Sequence, residues 1–91
     1  MNDRGMKVRI PTPLRSYTDE QTVVDADGTT IDEILADLDR RYPGIRFRVV
    51  DEQGKLRQHM KVFVDQESAR DLTTAVDGDA EVVIMQALSG G

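Results

Sequence analysis

The 91-residue chain contains no cysteine. That single absence excludes disulfides, cysteine-ligated zinc, iron–sulfur centres and thiol nucleophiles. Long apolar runs are also missing. The longest, residues 82–85, falls far short of the ~20 residues that a membrane-crossing helix needs. The first five residues, Met1-Asn2-Asp3-Arg4-Gly5, carry charge and have no apolar stretch behind them, so nothing there resembles a secretory leader. A cytoplasmic protein is expected. Positive charge is in deficit: 12 Lys and Arg face 17 Asp and Glu, for a net charge of −5. Phosphate backbones and anionic lipid surfaces recruit Lys and Arg, so neither nucleic acid nor a membrane is an expected partner. A protein with a basic docking face fits the overall charge better. Repeats and low-complexity tracts are absent.

What remains is an ordinary soluble composition, 38% hydrophobic and 32% charged. A chain of this length folds as one domain with a small core, burying only ~60–65% of its unfolded surface. Such a core leaves little room for an enclosed active site and suits a carrier or binding module. The expected organisation is a loose leader over residues 1–5, a folded domain over 6–88 and a mobile tail over 89–91.

Along residues 6–10, Val8 and Ile10 alternate with Lys7 and Arg9, the period of a half-buried strand. Pro11 and Pro13 end its ladder or confine it to an edge. A second strand is expected over residues 20–25 around Val23 and Val24, with a turn over 16–19. Asp27-Gly28 breaks the chain before a helix. Thr30 is its N-cap, Glu33 completes a capping box, and Ile31, Ile34, Leu35, Leu38 and Tyr42 share one face. Asp32 and Glu33 near its start, and Arg40 and Arg41 near its end, complement the helix dipole. Pro43-Gly44 stops it.

Residues 45–57 read as a connector, with Ile45, Phe47, Val49 and Val50 in a short helical turn or under the core, and a turn over 51–54. A strand follows over 60–65, with Met60, Val62 and Val64 on one face and Lys61 and Phe63 on the other. Asp65-Gln66-Glu67 turns it, and Leu72 and Val76 act as core plugs. Asp77-Gly78-Asp79 is a turn. Residues 80–87 form the last strand. Its apolar run fits a central strand covered on both faces or flanked by neighbours. The class is α+β: a mixed four- to five-stranded sheet with one main helix packed on one face. With the first and last strands parallel at the sheet centre, this is the β-grasp, or ubiquitin-like, fold, followed by a flexible Gly-Gly tail.

The chain resembles the MoaD/ThiS family of ubiquitin-like sulfur carrier proteins. The resemblance rests on the short first strand, the capped helix, Leu72, the Asp77-Gly78-Asp79 turn, the strand Glu81-Val82-Val83-Ile84 and the terminal Gly90-Gly91. It covers nearly all of residues 6–91. The CysO-type branch is the most similar, through Ile10-Pro11-Thr12-Pro13-Leu14-Arg15 and Val62-Phe63-Val64-Asp65-Gln66-Glu67. Gln86 departs from the proline that members often carry before the tail, which bears on the path of the exit.

The resemblance implies that an E1-like adenylyltransferase/sulfurtransferase adenylates the Gly91 carboxylate with ATP, and that a sulfur donor then converts it to a thiocarboxylate. In the CysO-type branch the thiocarboxylate serves cysteine biosynthesis. A PLP-dependent cysteine synthase takes the sulfur, and a zinc metalloprotease frees the cysteine. ATP, PLP and zinc would belong to those partners; this chain would bind no cofactor and be a protein co-substrate, not an enzyme. Glycine suits the tail because Gly90 and Gly91, lacking Cβ, pass a narrow channel in any backbone conformation. Leu88, Ser89 and Met85 are the residues expected to meet the partner; Leu88 is favoured as an apolar anchor, while Met85 is equally consistent with a core position at the strand end. Without a thiol, the chain would hold sulfur on Gly91 itself.

Other polar residues have simpler readings. His59 has no partner of metal-ligand type near it in sequence. Asp77 and Asp79 lack the further oxygens of a calcium loop. Asp32, Asp37 and Asp39 read as the solvated helix face, and Arg9, Arg15, Lys55, Arg57 and Lys61 as ordinary surface charge. The sulfur acceptor is open among cysteine, molybdopterin, thiamin, thiolated tRNA and secondary-metabolite routes. A protein modifier joined through Gly91 to lysines and a non-covalent binding module are the competing functions.

Overall fold

The computed structural model describes residues 6–69 and 71–87. Five strands form one mixed sheet: β1 Met6–Arg9, β2 Val23–Ala26, β3 Met60–Val64, β4 Glu67–Ala69 and β5 Glu81–Gln86, in the spatial order β2-β1-β5-β3-β4. β1 and β5 run parallel at the centre, with Val8 opposite Val82. β1 pairs antiparallel with β2, and β3 with both β5 and β4. This is the β-grasp arrangement expected from the sequence.

Helix α1, Ile31–Arg41, supplies Ile31, Ile34, Leu35 and Leu38 to the core. They join Met6, Val8, Val24, Ala26, Val62, Val82 and Ile84 from the sheet in one buried cluster. The start of α1 follows from its sequence: the Thr30 side chain accepts from the Glu33 N–H at 3.2 Å. Glu33 departs from the capping-box expectation. Its carboxylate accepts from the Thr29 N–H at 2.8 Å and the Thr29 hydroxyl at 2.9 Å, one residue before the cap. The chain turns sharply at Gly28, where a Cβ would lie 2.8 Å from the Ile34 nitrogen and the Glu33 Cβ.

Several expectations shift. The turn expected over 16–19 is the end of a 3₁₀ helix, Thr12–Thr18, which buries Leu14 and Thr18. The prolines explain it: Pro11 and Pro13 lack ladder donors but suit a helical start. β2 accordingly begins three residues later than expected. The connector contains helix α2, Ile45–Val49, which buries Ile45 and Val49 and leaves Phe47 exposed. Glu67 belongs to β4, because Asp65 and Gln66 alone make the turn, both at positive φ. Tyr42 caps the end of α1 and packs at the core edge, as does Leu72.

Candidate functional site

β5 delivers the chain to its last four residues, so the surface around its end is the candidate site. Leu88, Ser89, Gly90 and Gly91 lie outside the described residues, as do residues 1–5. β5 is held on both sides as far as Val83, with Arg9 of β1 opposite Val83 and Phe63 of β3 on the other flank. The described pairing with β1 stops at Val83, where β1 gives way to Pro11 and the 3₁₀ helix. The β3 side continues: Lys61 opposes Met85, Met60 opposes Gln86, and the Ala87 N–H donates to the His59 carbonyl at 2.7 Å. At Gln86, the departure from the family's common proline, the exit therefore continues straight along β3.

The two faces of β5 differ. Val82 and Ile84 are buried under α1, while Val83 is half-buried and Met85 is 49% exposed. Of the two sequence expectations for this strand, flanking by neighbours is what makes its run apolar; the face away from α1 is open. Across that face one register row reads Val23, Arg9, Val83, Phe63 and Ser68. Beside it, Lys7 pairs with Asp25 at 2.7 Å and Arg9 with Glu81 at 3.3 Å. Lys61 stands next to Met85. The result is an apolar strip of Val83, Phe63 and Met85, bordered by the Lys7–Asp25 and Arg9–Glu81 ion pairs and by Lys61. Of the expected partner-binding residues, Met85 lies on this strip.

On the helix side of the same strand end, Phe47, Arg48, Arg57, His59 and Gln86 line a groove of about 320 Å³. Its signal in the sequence is the spacing of α2: Phe47 stands two residues from both Ile45 and Val49, which places it on the outer side of a short helix whose other apolar residues are buried.

The displaced carboxylates all belong to the scaffold. Asp37, expected on the solvated face, is buried. Burial pushes its carboxyl up, but the Asp27 N–H at 2.9 Å, Arg40, and Arg41 at 2.8 Å outweigh that and hold it below the usual range. Its place three residues after Ile34, on the edge of the apolar stripe, was the available clue. Asp39 is engaged as well, accepting from the Gly44 and Arg46 N–H groups at the entry to α2. Glu33 is lowered by the Thr29 amide and hydroxyl, Asp51 by the Lys55 and Gln53 amides, and Asp71 by the Thr73 amide and hydroxyl. None of these groups lines the end of β5. Among the described residues no cluster of three or more His, Asp or Glu could hold a metal ion, and no helix is long and apolar enough to cross a membrane.

The chain matches the ThiS family over residues 8–91. It is 40% identical over 93 residues to the sulfur carrier protein CysO of Mycobacterium tuberculosis strain H37Rv, covering 96% of this chain and 99% of the relative. Two solved structures agree. The Amycolatopsis orientalis BexX/CysO complex superposes with a TM-score of 0.87 at 35% identity, over 94% of this chain and 99% of that one. Mycobacterium tuberculosis CysO superposes with a TM-score of 0.86 at 34% identity, over 91% and 99%.

Proposed function

The chain belongs to the ThiS family, and from that we infer that it is a sulfur carrier protein, a co-substrate passed between enzymes. The observation that carries this reading is the family match over residues 8–91, which includes Gly90-Gly91, together with 40% identity to a CysO sulfur carrier.

The chemistry takes place at the Gly91 carboxylate. One carboxylate oxygen attacks the α-phosphorus of ATP on an E1-like enzyme, and pyrophosphate leaves. The acyl-adenylate carbon then accepts a sulfide equivalent, AMP leaves, and a thiocarboxylate remains. Glycine at both final positions lets this carbon approach the partner's groups without a side chain in the way. β5, held by β1 as far as Val83 and by β3 through Gln86, gives the tail its root, while the patch of Val83, Phe63 and Met85 offers an apolar docking face. Leu88 and Ser89 follow directly and make the first contacts inside the partner. Cysteine biosynthesis is the favoured destination, through a PLP-dependent synthase and a zinc metalloprotease. ATP, PLP and zinc are held by these partners, and the cycle runs in the cytoplasm.

The test is mass spectrometry of the protein after incubation with the activating enzyme of its host, ATP and a sulfide source. The expected result is replacement of one oxygen by sulfur at Gly91. Isopeptide-linked conjugates to lysines, with no thioacid, would replace this reading with that of a protein modifier.

A further inference from the structure

Phe47 is 56% exposed, more than any other large hydrophobic side chain described, and yet it is held in place. The Arg57 guanidinium carbon lies 4.5 Å from its ring centroid, and Arg57 Nε donates to the Phe47 carbonyl at 2.7 Å. An aromatic ring fixed in water under an arginine contributes little to the core, because the cluster beneath closes over Ile45 and Val49 without it. Arg48 beside it is exposed. Neither Arg48 nor Arg57 has an ion pair among the described residues, although Arg9, Arg40, Arg41 and Arg46 do. No carboxylate among the described residues lines the groove that these side chains form with His59 and Gln86. A chain of net charge −5 thus sets two arginines without ion pairs side by side in one groove at the root of its tail.

We propose that this groove docks an acidic segment of the enzyme that activates the tail, with carboxylates on Arg48 and Arg57 and an apolar side chain against Phe47. The proposal rests on the sulfur-carrier reading and adds to it the chemistry of the partner's contact. Three observations converge. Two arginines in a groove lined by no carboxylate are complementary to an acidic occupant. An aromatic ring beside arginines is the composition in which interface energy concentrates. And Gln86 both lines the groove and stands two residues before Leu88, so an enzyme that draws residues 88–91 into its own site lies against it. Arg57 is already fixed over Phe47, which lowers the ordering cost of the contact. The net acidity of the chain governs long-range approach, whereas this patch governs local fit.

The experiment compares loading kinetics, with the host's activating enzyme, ATP and sulfide, for wild type, Arg48→Gln/Arg57→Gln, and the charge-matched control Gln21→Glu/Gln53→Glu. The expected result for the first variant is a KM for the carrier raised about tenfold with kcat unchanged, and a weaker dependence of KM on salt. The control keeps KM within about twofold. Arg48→Glu serves as a second probe, since Arg48 makes no described bond and its replacement leaves the fold intact. Unchanged KM in both groove variants, or an equal shift in the control, overturns the proposal. A wild-type chain that never acquires a thioacid overturns the sulfur-carrier reading instead.

Discussion

Asp37 shows how one side chain ties two segments together. Its carboxylate accepts from the backbone of Asp27, at the end of β2, and from Arg40 and Arg41 one turn along α1. Replacement by alanine leaves the Asp27 N–H without its acceptor and Arg40 without its ion-pair partner, while Arg41 keeps only its 3.4 Å contact with the Asp27 carboxylate; it is expected to cost about 1–3 kcal/mol in urea unfolding at neutral pH. The pH dependence follows from the direction of the shift. The folded carboxyl is held below its ordinary value, so its contribution is complete above about pH 4 and fades as pH falls through the folded pKa. In thermal melts, Asp37→Asn should therefore be less stable than wild type at neutral pH, with a smaller loss on acidification. Equal acid slopes for the two proteins would contradict this assignment.

At the scale of elements, the junction before α1 is the tightest point in the chain. Gly28 passes so close to the first turn of the helix that a methyl group would meet backbone atoms of Glu33 and Ile34. Backbone gives way less readily than a side-chain tip, so Gly28→Ala is expected to destabilise by about 1–3 kcal/mol in denaturant unfolding. Thr30→Ala, which removes the cap, should cost about 1 kcal/mol. The end of β5 behaves differently. Met85 is half exposed and packs on the open face, so Met85→Asp should change stability by no more than about 0.5 kcal/mol. Its effect belongs to docking: the same loading assay should show a raised KM for the carrier. A Met85→Asp protein loaded as well as wild type would remove the open face from the interface.

In the proposed function, the molecule divides into a scaffold that must fold and an end that must react. Among the described residues, the core cluster draws on all five strands, both α-helices and the 3₁₀ helix. Removing Gly91 should leave the melting temperature unchanged and abolish thioacid formation, since the electrophilic carbon would then sit on Gly90, one residue short of its reach. A folded protein that still forms a thioacid without Gly91 would contradict the placement of the chemistry. The charge distribution also acts at this scale. The net charge steers encounters at low ionic strength, while the groove beside Phe47 sets the local contact.

The amino-acid order alone determined the elements whose signals are local. Helix α1 is set by the cap at Thr30, the stripe from Ile31 to Leu38 and the stop at Pro43-Gly44, and β1 by its strict alternation. The Gly-Gly ending and the family resemblance were likewise readable along the chain. The tertiary structure decided what depends on neighbours distant in sequence. The apolar run of β5 does not say which of its faces is covered; that required α1 to lie over Val82 and Ile84 and leave Met85 open. Asp37 reads as a surface residue until the Asp27 backbone is folded against it. Phe47, Arg57 and Gln86 come from three separate segments, and only packing of α2 against the end of the sheet brings them to one groove. A one-dimensional pattern records the period of an element; burial and charge pairing are fixed by which elements meet.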